Sequence, residues 1–187
     1  MVDVPTQARA VIVGGGVSGC AVAYHLAKLG WDEIVLLERK QLTCGTTWHA
    51  AGLIGQLRAS QNLTKLTRYS AQLYSDLEAE TGIATGMKRN GSMTVALTPA
   101  RMEEIRRQAS LARVLDIEVE ELNPAECRAH YPHLETKDVV GGAFIPGDGQ
   151  CDPANVAMAM AKGARMRGAK VIEGVRVDEV LTRDGAV

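Results

Sequence analysis

The 187-residue sequence has only four cysteines, Cys20, Cys44, Cys127 and Cys151, and no two of them form a C-x-x-C pair. Without close pairs, the sequence argues against a disulfide scaffold or a zinc site and points to a reducing compartment. His25, His49, His130 and His133 add no metal-ligand spacing. An excess of one charge is missing too. Lys and Arg total 21 and Asp and Glu total 22, a net charge of -1, which leaves no electrostatic footprint for nucleic acid or an anionic membrane surface. No apolar run approaches the ~20 residues of a membrane span. The stretch 1–8 is too short and too polar for a secretory signal, and no repeat, linker or low-complexity segment is visible. What is present, 46% hydrophobic and 23% charged residues, is an ordinary globular composition at a length for one domain or a little more.

Ala10-Val11-Ile12-Val13 is a short apolar, β-branched run, as expected of a strand buried on both faces. It leads into Gly14-Gly15-Gly16-Val17-Ser18-Gly19. Helical spacing follows over 17–29, with Val22, Leu26 and Leu29 on one face and Gly30 as the stop. Ile34-Val35-Leu36-Leu37 is a second strand and ends on Glu38. A lone G-x-G-x-x-G says little, but strand, turn, helix, strand and acid together make the full dinucleotide context. Gly14 permits the tight turn, Gly16 lets a pyrophosphate touch the backbone, and Gly19 lets the helix pack on the strand. The helix start supplies free N–H groups and partial positive charge for the phosphate. Glu38 is expected to accept hydrogen bonds from the adenosine ribose, and an acid there argues against a 2′-phosphate, hence against NADP. A glycine-rich turn without a ligand is the bland alternative.

The fingerprint alone does not choose between NAD and FAD. An NAD protein would continue with another helix and strand. This chain instead leaves the second strand through Arg39-Lys40-Gln41-Leu42-Thr43-Cys44 into a second small-residue turn, Gly45-Thr46-Thr47-Trp48-His49-Ala50-Ala51-Gly52-Leu53. A long dinucleotide with a tricyclic ring calls for such a second close approach of backbone.

Further along, Asn62 reads as the N-cap of a helix to about Thr81, with Leu63, Leu66, Ser70, Leu73 and Leu77 on one face and Gly82 as the stop. A strand over 91–97 precedes a helix opened by Thr98-Pro99, whose Met102, Ile105, Ala109 and Ala112 form a buried stripe. Asn123-Pro124-Ala125-Glu126 combines cap, proline and acid, and opens a short helix to near His130. Asp152-Pro153 repeats the device before a helix to about Arg167, closed by Gly168 and followed by a strand. Asp148 and Asp152 read as turn and cap residues rather than a catalytic pair, and His130 and His133 as surface or turn residues. The parallel sheet would hold three strands, at about 10–14, 33–38 and 169–173, fewer than a doubly wound fold carries. Thr182-Arg183-Asp184-Gly185 reads as a hairpin turn without its second strand. The sequence is therefore read as the N-terminal part of a longer polypeptide.

Glu38-Arg39-Lys40 followed by G-T-T-W-H-A-A-G-L (45–53) resembles the flavin site of the dimethylglycine and sarcosine dehydrogenase family, within the D-amino-acid-oxidase-like flavoproteins. The resemblance continues through L-E-A-E-T-G (77–82), N-G-S-M (90–93), L-N-P-A-E-C (122–127), P-G-D-G (146–149) and D-P (152–153). It implies an α/β, Rossmann-like FAD-binding domain of the glutathione-reductase or D-amino-acid-oxidase type, incomplete in this chain, with part of an α+β substrate domain. The expected division is 1–59 for the first part of the FAD domain, 60–150 for the start of the substrate domain, and 151–187 for the return to the FAD domain.

The resemblance further implies FAD held covalently, from the His49 imidazole to the flavin 8α-methyl carbon. Gly14, Gly15, Gly16, Val17, Ser18 and Gly19 would meet the diphosphate, with Glu38 and Arg39 at the ribose end. Gly45, Thr46 and Thr47 would serve ribityl and phosphate oxygens. Trp48, Ala51, Gly52 and Leu53 would border the flavin, and the Val177 backbone would touch the adenine. No metal is implied. The implied activity is oxidation of an N-methylated glycine such as dimethylglycine or sarcosine, with electron-transferring flavoprotein or oxygen as acceptor. The catalytic residues, and a tetrahydrofolate site in a C-terminal region, would lie beyond Val187. No nucleic-acid or membrane partner is implied, and the expected location is the cytoplasm of a bacterium or the mitochondrial matrix of a eukaryote. Three alternatives stay open. One is a non-catalytic member resembling the regulatory subunit of pyruvate dehydrogenase phosphatase, in which loss of the histidine would be expected. The others are a flavin amine oxidase with non-covalent FAD and an NAD-binding Rossmann protein. Apart from the resemblance, Trp48 and His49 would read as packing a loop.

Overall fold

A computed structural model of the chain describes residues 4–184 and Val187. It opens with β1 (Ala10–Val13), α1 (Val17–Lys28) and β2 (Ile34–Glu38), then a single 3-10 turn at Thr47–His49. After β3 (Leu53–Ile54), α2 (Gln61–Thr81), β4 (Ser92–Ala96) and α3 (Pro99–Val114) come β5 (Glu120–Leu122) and α4 (Pro124–His130). The last elements are β6 (Gly141–Ile145), β7 (Gly149–Gln150), α5 (Pro153–Met166) and β8 (Lys170–Glu173). Two compact units divide them. The first takes Met1–Gly52, Tyr74–Gly86 and Asp152–Val187; the second takes Leu53–Leu73 and Met87–Cys151. The segment Tyr74–Gly86, which the sequence reading keeps within 60–150, thus clusters with the first unit. No helix among the described residues is long and apolar enough to cross a membrane.

In the first unit, β1, β2 and β8 form a parallel sheet with β2 at its centre, pairing Val11 with Val35 and Leu36 with Val171. The three expected parallel strands are all present. The central strand is buried through Ile34, Val35 and Leu36, which is why it reads as a continuous apolar run. The expected face of α1 is wrong, however: Val22 is 48% and Leu29 77% exposed. The buried side chains are Cys20, Ala23, Tyr24 and Ala27. They face an equally small surface on α5, where Ala157, Ala161 and Ala164 are buried and a Cβ at Gly163 would stand 2.8 Å from the Tyr24 ring. Small residues let two helices approach closely, at the cost of a visible leucine stripe. The stop is as expected: Gly30, at φ 83°, donates to the Ala27 carbonyl and Trp31 to that of Leu26, the double bond of a Schellman end.

Glu80, near the end of α2, explains why that stretch belongs here. Its carboxylate accepts from the Tyr24 hydroxyl at 2.7 Å and from Arg167 at 2.8 Å. Burial pushes this carboxyl up, but those two donors and the Arg167 and Lys28 charges outweigh it and hold it below the usual range. At the other end of α2 the cap is Ser60 rather than Asn62, since its hydroxyl accepts from the Leu63 amide at 3.3 Å. Leu63 and Leu66 are exposed, and the buried positions are Thr64, Ala71, Leu73, Leu77 and Thr81. The two buried threonines, polar on paper, turn their hydroxyls back to backbone carbonyls of Arg58 and Leu77, which a hydrophobic count misses. Of the expected hairpin turn, Asp184 has a φ of 52°, and Gly185 lies outside the described residues.

The second unit is built on the antiparallel sheet β4-β6-β5 and the two-stranded pair β3-β7. Thr98 caps α3, and Met102, Ile105, Ala109 and Ala112 are its buried stripe, as the spacing predicts. Asn123 and Glu126 close the expected capping box on α4, and in the first unit Asp152 caps α5 through the amides of Ala154 and Asn155. β5 and β6 escape the sequence reading because Glu-Glu-Leu is not strand-like and β6 begins on two glycines. Gly142 is needed there: a Cβ would sit 2.6 Å from the Thr94 carbonyl oxygen of the paired strand. His130 is not simply a surface residue. Its ring stacks on Phe144 at 4.2 Å, and Nε2 is 3.8 Å from Glu120.

Asp148, in the P-G-D-G turn, is only 3% exposed. Its carboxylate accepts from the Gln56 amide at 2.9 Å, the Gln56 side chain at 3.4 Å and the Ser92 hydroxyl at 2.6 Å. Asp148→Ala would remove the acceptor of these part-buried donors, so a loss of about 1–2 kcal/mol in urea unfolding is expected, with Asp148→Asn retaining a good part of it. An unchanged midpoint in the alanine variant would rule out this anchoring role.

Candidate dinucleotide-binding site

β1 ends at Val13, and its parallel pairing with β2 is extended by the Gly14 amide, which donates to the Leu37 carbonyl at 2.8 Å. Gly14 then turns at φ 107°, a conformation that favours glycine. Gly15 is gripped on both sides: its N–H donates to Glu38 Oε2 at 2.7 Å and its carbonyl accepts from the Thr43 amide at 2.9 Å. Gly16 is the N-cap of α1 and offers no side-chain cap. The amides at positions 17 to 19 of a helix so started have no intrahelical partner. Val17 donates to Thr47 Oγ1 at 2.9 Å. Those of Ser18 and Gly19 are left for a ligand among the described residues, with no acidic side chain in the first turn to oppose an anion. One of the free amides expected from sequence is therefore occupied, by a threonine thirty positions away.

Glu38 is 8% exposed. Besides the Gly15 contact, its Oε1 accepts from the Lys40 amide at 2.9 Å. The Cys44 thiol also lies 4.0 Å from Oε1; a carboxylate offers roughly four acceptor positions, so one stays open on Oε2. Burial pushes this carboxyl up, but the Gly15 and Lys40 amides and the Arg39 charge prevail and hold it below the ordinary glutamate range. A depressed folded-state value contributes stability that is complete above the unfolded pKa and is lost as pH falls through the folded one. Acid unfolding curves should therefore show a loss at and below the ordinary glutamate range, one that shrinks in Glu38→Gln. Identical pH dependence of the two proteins would exclude Glu38 as the source.

These groups surround a cavity of about 560 Å³. Gly14, Gly16, Val17, Ser18 and Gly19 line one side of it, and Glu38 and Arg39 another. Gly45, Thr46 and Thr47 complete the wall from the second small-residue turn, so the two motifs, far apart in sequence, meet. Gly15 is buried behind the turn and does not line the cavity. Neither do Trp48, His49, Ala51, Gly52, Leu53 and Val177. Trp48 and His49 are exposed, with ring centroids 3.9 Å apart. Lys40 and Cys44 line the cavity without having been singled out from sequence; they lie in the irregular loop after β2, which carries no periodic signal. Beneath it, Cys20 is buried with its thiol 3.6 Å from the Gly15 carbonyl, and burial pushes it up to about 11, out of reach of thiolate chemistry at neutral pH.

No Cβ neighbour lies within 4 Å of Gly14 or Gly45, so both border open space. Free amides, a positive helix end and a buried acid with a spare acceptor suit the diphosphate and ribose of a dinucleotide. Comparisons with known proteins give the family. The family model described as FAD dependent oxidoreductase matches residues 9–187. Mouse mitochondrial sarcosine dehydrogenase is 43% identical over 96% of this chain and 20% of its own length. Human mitochondrial dimethylglycine dehydrogenase is 42% identical over 87% of the chain and 19% of its length. The mouse mitochondrial pyruvate dehydrogenase phosphatase regulatory subunit is 39% identical over 100% of the chain and 21% of its length. Among solved structures, glycine oxidase from Bacillus cereus superposes with a TM-score of 0.80 at 26% identity, covering 95% of this chain and 49% of that one. The chain thus spans about a fifth of the length of these curated relatives, and it belongs to the DAO family of FAD-dependent oxidoreductases.

Proposed function

We propose that this chain forms the FAD-binding portion of an oxidoreductase that demethylates an N-methylated glycine such as sarcosine or dimethylglycine. The observation that carries the reading is the joining of the glycine turn, Glu38 and the Gly45-Thr46-Thr47 turn around one cavity, in a chain over 40% identical to two N-methylglycine dehydrogenases. The amides of Ser18 and Gly19 would hold the diphosphate, and Glu38 the adenosine ribose. Arg39 and the Val177 backbone would border the adenosine end. Thr46 and Thr47 would serve ribityl or phosphate oxygens, with Trp48, Ala51, Gly52 and Leu53 bordering the flavin. His49 would be its covalent anchor. FAD, when bound, supplies a two-electron acceptor for the hydride of an N-methyl carbon. This chain's residues bind and orient, and no general acid or base is assigned among them. The first compact unit would be the FAD domain and the second the start of the substrate domain. Electron-transferring flavoprotein or oxygen would reoxidise the flavin, and a folate site would belong to a further region.

A second reading, a non-catalytic binding module, is supported by the 39% identity to the phosphatase regulatory subunit across the whole chain. His49, retained here, favours the enzyme. The two separate in one experiment. Purified yellow protein is mixed anaerobically with sarcosine, dimethylglycine or glycine, and the visible absorbance of the oxidised flavin is followed. Bleaching by an N-methylated glycine is expected. A yellow protein that none of them bleaches would overturn the N-methylglycine reading and favour the binding module, and a colourless one would defeat both readings.

A further inference from the structure

The geometry points to Glu173 as a positioning residue of the dinucleotide site, one that acts through the loop 39–44 rather than by touching the cofactor. This rests on the proposed FAD reading for its ligand, though not for its geometry. Glu173 closes β8, and its backbone neighbour across the sheet is Glu38. Its Oε1 accepts from the Leu42 amide at 2.6 Å, across 131 positions of sequence. Two backbone bonds continue the same seam: Gly174 donates to the Lys40 carbonyl at 3.0 Å, and Val175 to that of Glu38 at 2.9 Å. The loop that leaves Glu38 is thus stitched to the end of β8, and among the described residues Glu173 supplies the side-chain stitch.

What the stitch holds is the glycine turn. Leu42 is 5% exposed, and its Cδ2 lies 2.5 Å from where a Cβ on Gly15 would be, so it packs directly on the bare backbone of that residue. The next residue, Thr43, donates to the Gly15 carbonyl from a strained φ of 67°. Freed from Glu173, Leu42 and Thr43 lose their fixed path, and Gly15 loses the contacts that orient its peptide toward Glu38. The amides presented to the diphosphate then lose their preorganisation, and preorganisation is what limits the ordering cost of binding. An accepting oxygen is required at this place, not a charge facing the ligand.

The test uses the complete protein prepared under riboflavin limitation, with Glu173→Met, Glu173→Asp and Glu173→Gln. Two quantities are measured: the ADP dissociation constant by calorimetry and the hydrogen-exchange rate of the Leu42 amide. The methionine and aspartate variants, which remove the acceptor or withdraw it by one methylene, should weaken ADP up to about tenfold, the scale of one intramolecular hydrogen bond. Their Leu42 amide should exchange faster, while the thermal midpoint stays within a few degrees, the scale of about 1 kcal/mol. Glu173→Gln, which keeps the acceptor, should restore both. ADP affinity and Leu42 protection unchanged in the folded variants would overturn the assignment, and so would a glutamine variant as impaired as the methionine one. If Glu173→Met does not fold, Glu173→Asp carries the comparison. If the unaltered protein binds neither ADP nor FAD, the FAD reading fails, and the exchange rate alone decides the role of Glu173.

Discussion

Gly19→Ala is expected to destabilise the first unit by more than about 3 kcal/mol, and to abolish flavin retention with it. The added Cβ would stand 1.9 Å from the Gly14 carbonyl oxygen and 3.1 Å from its carbonyl carbon. Both are backbone atoms in a turn whose other bonds are made: Gly14 donates to Leu37, and Gly15 is held by Glu38 and Thr43. No side chain can swing away to relieve the contact. Either α1 lifts off β1, breaking the contact with α5, or the turn opens. Overpacking a close contact usually costs 1–3 kcal/mol, and a collision with backbone belongs at or above the top of that range. Gly45→Ala is the matched control, because no atom lies within 4 Å of its Cβ position and its φ is not positive. It should leave unfolding within about 0.5 kcal/mol of the parent. Urea unfolding of both variants checks the pair. A Gly19→Ala midpoint equal to that of Gly45→Ala would refute the close-packing account.

The second large effect is all-or-none. After acid precipitation and digestion of the complete protein, flavin is expected to stay with a peptide containing His49, and His49→Ala should release all of it to the supernatant. An imidazole nitrogen suits this chemistry as a nucleophile, and here the ring is exposed, stacked loosely on Trp48 at 3.9 Å. The variant should therefore fold as the parent does. Flavin released from the unaltered protein would remove His49 as the anchor and leave a non-covalent flavin amine oxidase as the reading. Flavin retained in His49→Ala would move the anchor elsewhere.

What could be read from the sequence was whatever has a local cause. The glycine turn between β1 and α1, the caps at Thr98, Asn123 and Asp152, and the stripe on α3 each follow from a few neighbouring residues, and each is found in place. Faces decided by a distant partner were not legible. Val22 and Leu29 looked like the inner side of α1, but the alanine-rich surface of α5 selects Cys20, Ala23 and Ala27 instead. Leu63 and Leu66 looked buried, while Thr64 is, because its hydroxyl finds a carbonyl six residues back. In the site, both contributing turns were visible, yet their bond was not. That Thr47 would occupy the Val17 amide, or that Glu173 would reach Leu42, depends on how the sheet brings remote segments together.

The pairing of Glu38 with Gly15 and Lys40 has one more consequence. Because the acid is already seated, a coenzyme bound as proposed would meet a rigid mould and not a floppy receptor. Reversible uptake of ADP, which cannot form the proposed bond to His49, should then be a single concentration-dependent phase, without the slower isomerisation that a yielding pocket imposes on its guest.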